Sequence, residues 1–424
     1  MKIKAVIISL LLLLSPLTAL AEGGRTVVYS DCKDIVYMGR WEKQDDGLMR
    51  GAFESGLVLR FTGTSVYLDG KASGEALIAI DGGDVTQTKL KENAVLFSGL
   101  EDKEHVLELY AAAQRTFPSF TGFSLDAGAS ALPSPDGKIV EFIGDSITEG
   151  YVSPNDAGNG AANSYANSYA FSVGRRLMKE YGAYFNTVAY GGICILETGV
   201  NKYGNDPLGM PERYFLDREY RLYDTPDEER APAHKWDTSS YVPDIIVINL
   251  GTNDVYNDKA TVMEGMLSFL RSLRAAYEKA DIIVLIPFNN TMSKPVRKAV
   301  TGASDEKITL VDTKSWKISA GSDGLHPSPE QHARAAEYLY DILIPYIEAT
   351  DAPPETDTET ETEIITETET QTDKITEQIT EPTETEANIT PTQNPAAVPI
   401  IIAAVIIAAA IVTTAVIISK RRAR

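Results

Sequence analysis

Five short apolar runs, KIVEFIG, YFNTVAYGG, DIIVINLGTND, IIVLIP and KITLVDT, begin at Lys138 and end at Thr313. They are brief and rich in β-branched residues, as strands are when a parallel sheet buries both their faces. Stretches of helical character at 168–181, 262–278 and 330–348 interleave with them. The last carries an apolar face through Ala333, Ala336, Leu339, Tyr340 and Leu343. Strand alternating with helix predicts an α/β domain with a doubly wound parallel sheet over 137–350.

The residues before it read differently. Between 24 and 132, runs such as VVYS, LVLRFTG, SVYLDG, ALIAIDGG and VLELYAA alternate apolar with polar residues and break at Gly, Asp and Asn. Many short strands with close turn signals predict a β-sandwich of the jelly-roll kind. ALPSP, at 131–135, is the expected linker.

The two ends belong to neither domain. Residues 1–21 hold two lysines, an apolar run and Ala-Leu-Ala, the layout of a cleaved signal peptide, with an uncleaved anchor as the alternative. Residues 396–418 are apolar and long enough to cross a bilayer at ~1.5 Å rise per residue. Four basic residues in the 419–424 tail place that end in the cytoplasm. Between Asp351 and Glu386 stand thirteen acidic residues and one lysine, so 351–395 reads as an extended, disordered Thr/Glu-rich stalk. The expectation is a single-pass cell-membrane protein with its folded domains extracellular.

Of the total charge of −21, the stalk contributes −12 and the two ends +6, leaving about −15 on the remainder. An acidic body argues against nucleic acid as a partner and suits a neutral polymer such as a polysaccharide. No His, Cys or carboxylate cluster has metal-ligand spacing, so neither metal nor cofactor is expected. Cys32 and Cys194 are too few for a disulfide framework and are expected as free thiols, although export would permit them to pair.

In doubly wound sheets, reactive groups gather at the carboxyl ends of strands. Four clusters qualify. Gly144-Asp145-Ser146-Ile147-Thr148 follows the first run; a serine there exposes its hydroxyl beside helix N–H donors, although an ordinary helix cap has the same look. Gly191-Gly192 closes the second run, where glycine lets a backbone N–H approach a ligand or simply turns the chain. Gly251-Thr252-Asn253-Asp254 closes the third; an Asn amide can donate to an oxyanion or form a local turn. Asp323-Gly324-Leu325-His326-Pro327 precedes the last helix and offers an imidazole base with a carboxylate three residues before it. His332 reads as a structural partner, and His105 and His234 as structural or surface residues.

Together, in this order, the blocks GDS, a glycine-bearing strand end, GTND and DGLHP resemble the SGNH, or GDSL-like, hydrolase superfamily. That resemblance implies Ser146 as nucleophile, His326 as base and Asp323 as its support. It implies an oxyanion hole from the Ser146 and Gly192 N–H groups and Asn253, with Gly191 as the alternative to Gly192. The N-terminal stretch GRWEKQDDGLMRGAFESGLVLRFTGTSVYL, with FTGFSLDAGASAL, is similar to carbohydrate esterase family 2, which joins a jelly roll to an SGNH domain and removes acetyl groups from plant polysaccharides. Members of that family differ in how the histidine is supported. The segment WDTSSYVPDIIVINLGTND also looks like that family, whereas the insert 203–234 matches nothing.

The expected reaction is two-step acyl transfer on an acetylated polysaccharide of xylan or glucomannan type. Trp236 and Tyr256, and with them Tyr151 and Tyr165, are candidate sugar-stacking rings or packing residues. Two rivals are a lipase or thioesterase of the same superfamily and a non-catalytic surface glycan-binding protein.

Overall fold

The computed structural model describes residues 19–20, 24–113, 116–158, 160–197, 208–217 and 234–349. The expected export signal (apart from 19–20), stalk, membrane span and tail lie outside the described residues. So does most of the insert 203–234. Among the described residues no helix is long and apolar enough to cross a membrane.

The C-terminal domain is built on five strands: β1 (Ile139–Asp145), β2 (Tyr184–Tyr190), β3 (Ile245–Asn249), β4 (Asp281–Leu285) and β5 (Ile308–Val311). They pair in parallel in the order β2-β1-β3-β4-β5. The order reverses between β1 and β3, and that is where doubly wound sheets place their ligands. Among the described residues, the α-helices between and after these strands are α1 (Ser146–Glu149), α2 (Tyr169–Tyr181), α3 (Met210–Arg213), α4 (Lys259–Ala276), α5 (Ser293–Ala303) and α6 (Pro329–Glu348).

Strand side chains alternate between two cores. Val140, Phe142, Val247 and Leu285 meet α2 and α6, whereas Ile143, Ile248 and Val284 meet α4 and α5. The α2 helix starts where the Ser168 hydroxyl accepts the Ala170 N–H and stops at left-handed Gly182. The buried stripe of α6 runs through His332, Ala335, Ala336, Leu339, Tyr340, Leu343 and Ile347. Ala333, assigned to that stripe from the sequence, is exposed, and Ala335 takes its place one turn before Leu339.

The N-terminal domain is an antiparallel β-fold with its own core of Leu57, Leu59, Phe61, Leu68, Leu107, Phe120 and Phe123. Its runs were expected as many short strands. Instead LVLRFTG and SVYLDG belong to one strand, Met49–Ser73. The chain runs straight on through the glycine between them, and where the register to Val95–Ala111 shifts between Gly63 and Ser65 the extra residues lie in that partner strand. The first half of the long strand pairs with Ile35–Lys43, and Ser119–Leu125 pairs both with its start, at Met49 and Arg50, and with its later part from Val66 to Ser73.

The two domains are not joined by a loose linker. Ala131–Leu132 pairs with Arg60 and Phe61, and Glu54 of the long strand bridges to Thr187 on the outer edge of β2. Across the junction, the Tyr110 ring packs edge-on against Phe171 at 5.1 Å. Glu108, buried in the sandwich, accepts from Arg175 of α2 at 2.8 and 3.1 Å. The fully buried Arg40 donates to the Tyr214 carbonyl and lies over the rings of Phe53, Tyr214 and Trp236.

Candidate active site

β1 ends in a turn so sharp that a Cβ on Gly144 would lie 2.0 Å from the Thr148 hydroxyl. Asp145 then caps α1 by accepting the Ile147 N–H at 3.0 Å, and Ser146 is the first helical residue. Its Oγ lies 2.9 Å from His326 Nε2. His326 Nδ1 lies 2.7 Å from Asp323 Oδ2. The other carboxylate oxygen accepts the N–H groups of Leu325 and His326, so a tight Asx turn folds Asp323 back onto its own imidazole.

A carboxylate at Nδ1 favours the tautomer with its proton there. That leaves Nε2 as the acceptor facing the serine hydroxyl. Partial burial opposes the charge on Asp323, but the His326 ring and the two N–H donors prevail and hold its carboxyl below the usual range.

The loop that carries His326 is itself held. Gly321 N–H donates to the His326 carbonyl at 2.7 Å, and Ser322 N–H donates to Asp156 at 2.7 Å. The Ser322 hydroxyl also reaches Ser153 at 2.7 Å, and the Tyr151 ring stands edge-on to His326 at 4.5 Å. Tyr151 is thus an imidazole neighbour, a placement that its sequence context alone does not reveal.

On either side of Ser146 stand the other blocks. Gly192 sits in the turn after β2 with φ of 81°, whereas Gly191 has an ordinary φ. Asn253 follows β3, half-buried, with Nδ2 donating to the Ile193 carbonyl at 2.9 Å. An amide nitrogen has two hydrogens, so one remains for a ligand. The N–H of Ser146 belongs to the first turn of a helix, where no intrahelical acceptor exists. A serine hydroxyl, an oriented imidazole and hydrogen-bond donors on the neighbouring strand ends are the parts required for acyl transfer through a tetrahedral intermediate.

Comparison with known proteins agrees. Residues 140–339 match the GDSL-like lipase/acylhydrolase family and residues 37–135 the carbohydrate esterase 2 N-terminal family. The chain carries a GDSL-like lipase/acylhydrolase domain preceded by a carbohydrate esterase 2 N-terminal domain. It is 30% identical over 331 residues to the cellulase/esterase CelE of Acetivibrio thermocellus, covering 73% of this chain and 39% of that longer protein. It is 25% identical over 339 residues to an acetylxylan esterase/glucomannan deacetylase of Cellvibrio japonicus, covering 76% of this chain and 91% of the relative. A family two carbohydrate esterase from Clostridium thermocellum, solved with cellohexaose, is 26% identical with a TM-score of 0.56, covering 74% of this chain and 99% of that one.

The remaining candidates separate. Tyr256 is 80% exposed on the turn after Asn253. Trp236 lies instead under the Arg40 guanidinium, at 5.4 Å, where the two domains meet. Tyr165 is fully buried with its hydroxyl on Thr187, so it offers no face to a sugar. His332 is buried and accepts the Tyr169 N–H, and burial lowers it to about 4, keeping it neutral. His105 is buried against Asp81, and His234 is exposed beside Asp217. Cys32 and Cys194 are both free. Among the described residues no group of His, Cys, Asp and Glu is arranged to hold a metal ion.

Asp145 is a buried neighbour of Ser146 that the sequence did not single out. Burial pushes its carboxyl up to about 7, the charge of Asp254 adding to the rise while the Ile147 N–H opposes it. A raised folded-state pKa stabilises the fold below the ordinary value of 3.8, and that contribution is lost as pH climbs toward about 7. Asp145→Asn keeps the cap acceptor for Ile147 and removes the titration. Melting temperatures of variant and wild type are expected to draw apart in the variant's favour between pH 4 and 7. A constant difference across that range rules the assignment out.

Proposed function

We propose that the protein is a serine carbohydrate esterase that removes O-acetyl groups from polysaccharides of the xylan or glucomannan type. The observation that carries this reading is the continuous chain from Ser146 Oγ through His326 to Asp323 at the sheet's switch point. His326 takes the Ser146 proton as Oγ attacks the acetyl carbonyl. The N–H groups of Ser146 and Gly192 and the Asn253 amide receive the negative charge. His326 then protonates the departing sugar hydroxyl, and water, activated by the same imidazole, releases acetate from the acyl-serine. The polysaccharide names attached to the relatives support the substrate class. Tyr256, exposed beside Asn253, supplies a ring on which a sugar can stack.

The reading also places the site outside the cell, with residues 1–21 as export signal, 351–395 as stalk and 396–418 as single-pass anchor. It rests on composition alone: charge, apolar length and the basic tail.

Rates on 4-nitrophenyl acetate, butyrate and octanoate test the acyl preference. Acetate is expected to exceed octanoate in kcat/KM by at least about tenfold, since one methylene is worth about 10-fold or more in a fitted pocket. A preference for octanoate would identify a lipase instead.

A further inference from the structure

The sheet order sets a problem for the oxyanion site. β2 and β3 lie on opposite sides of β1, so no strand pairing connects the loops that follow them. Adjacent strands are about 4.8 Å apart, which leaves these two loop bases separated by about twice that. Yet both must meet above Ser146 if Gly192 and Asn253 are to serve one oxygen.

Asp254 spans the gap. It is fully buried, one residue beyond Asn253, and one carboxylate oxygen accepts the Ile195 N–H at 2.9 Å. The other oxygen accepts the Leu196 N–H at 3.4 Å and the Asn257 side-chain amide at 2.8 Å. Around this carboxylate two more bonds join the same segments: Asn253 Nδ2 to the Ile193 carbonyl, and Cys194 Sγ to the Asn253 carbonyl at 3.3 Å. Every one of these cross-loop bonds falls within four residues of Gly192.

We infer that Asp254 is a positioning residue for this reaction, its carboxylate docking the 193–196 segment onto the Asn253 turn so that the donors of two separated loops converge on one oxyanion. The inference rests on the esterase reading above. It assigns to the last residue of GTND a task distinct from that of Asn253. Asp254 touches no substrate and moves no proton. Its removal weakens transition-state binding while leaving the Ser146–His326 pair in place.

The full-length chain in detergent, assayed on 4-nitrophenyl acetate, tests this. Asp254→Ala is expected to lower kcat by about 10²-fold, the scale of losing one oxyanion donor, with KM changed less than about threefold. The pH midpoint of kcat/KM, which reports the base in the free enzyme, is expected to stay in place. Should Asp254→Ala not fold, Asp254→Asn retains one acceptor oxygen and is expected to lose about tenfold in kcat. Unchanged kcat in a folded variant overturns the inference. So does a loss accompanied by a moved pH midpoint, which would locate the damage at His326. If wild type itself is inactive on acetyl esters, the esterase reading fails, and that is a separate outcome.

Discussion

Ser146→Ala is expected to lower kcat for acetyl-ester hydrolysis by about 10⁴–10⁶-fold, as removal of a nucleophile does in other serine hydrolases. The substitution deletes one oxygen, whose hydrogen bond among the described residues is to His326 Nε2. Backbone bonds of the turn, from Gly150 and Tyr151 N–H to the Ser146 carbonyl, remain. Folding is therefore expected to survive, with a melting temperature within a few degrees of wild type. Acetate release measured on both proteins checks this. Residual activity within tenfold of wild type removes Ser146 from the mechanism.

The second large effect distinguishes two substitutions at one position. Asp323→Asn can keep its carbonyl oxygen on the N–H groups of Leu325 and His326 and present an amide donor to His326 Nδ1. A donor there stabilises the imidazole tautomer protonated at Nε2, which cannot accept from Ser146. A loss of about 10²–10⁴-fold in kcat follows. Asp323→Ala is expected to lose less, because the Asp323 side chain is 29% exposed and water can reach the vacated Nδ1. The order Asn below Ala is the expected result of parallel kcat measurements. Equal activities, or Ala the lower, would mean that the carboxylate contributes by charge or packing rather than by fixing the tautomer.

Much of this arrangement is legible in the chain itself. The five apolar runs are β1 to β5 to within a few residues, because strands buried on both faces need continuous β-branched sequence. Ser146, Gly192 and Asn253 abut such runs and His326 precedes the last helix, so their placement is legible from the runs, whereas their roles follow from the four blocks taken together. The α5 helix was not anticipated. SKPVRKAVTGA contains Pro, Thr and Gly, and its buried positions, Pro295, Val296 and Ala299, make too short a stripe to stand out.

Residues that act across the fold were not legible at all. Asp254 matters because β1 lies between β2 and β3. Asp145 matters because it is buried beside Asp254, and Tyr151 because an intervening loop returns to His326. None of these has a local signature. Trp236 shows the converse: its sequence suits a sugar platform, but Arg40, contributed by the other domain, occupies its ring.

The central claim is that Ser146 removes acetyl groups from a polysaccharide. Acetate released from acetylated xylan and acetylated glucomannan by the purified full-length chain, with Ser146→Ala alongside, tests it most directly. Steady release from at least one polymer by wild type, and none above background by the variant, is the predicted result. Equal release by both proteins, or release from neither polymer while long-chain esters are hydrolysed, would contradict it.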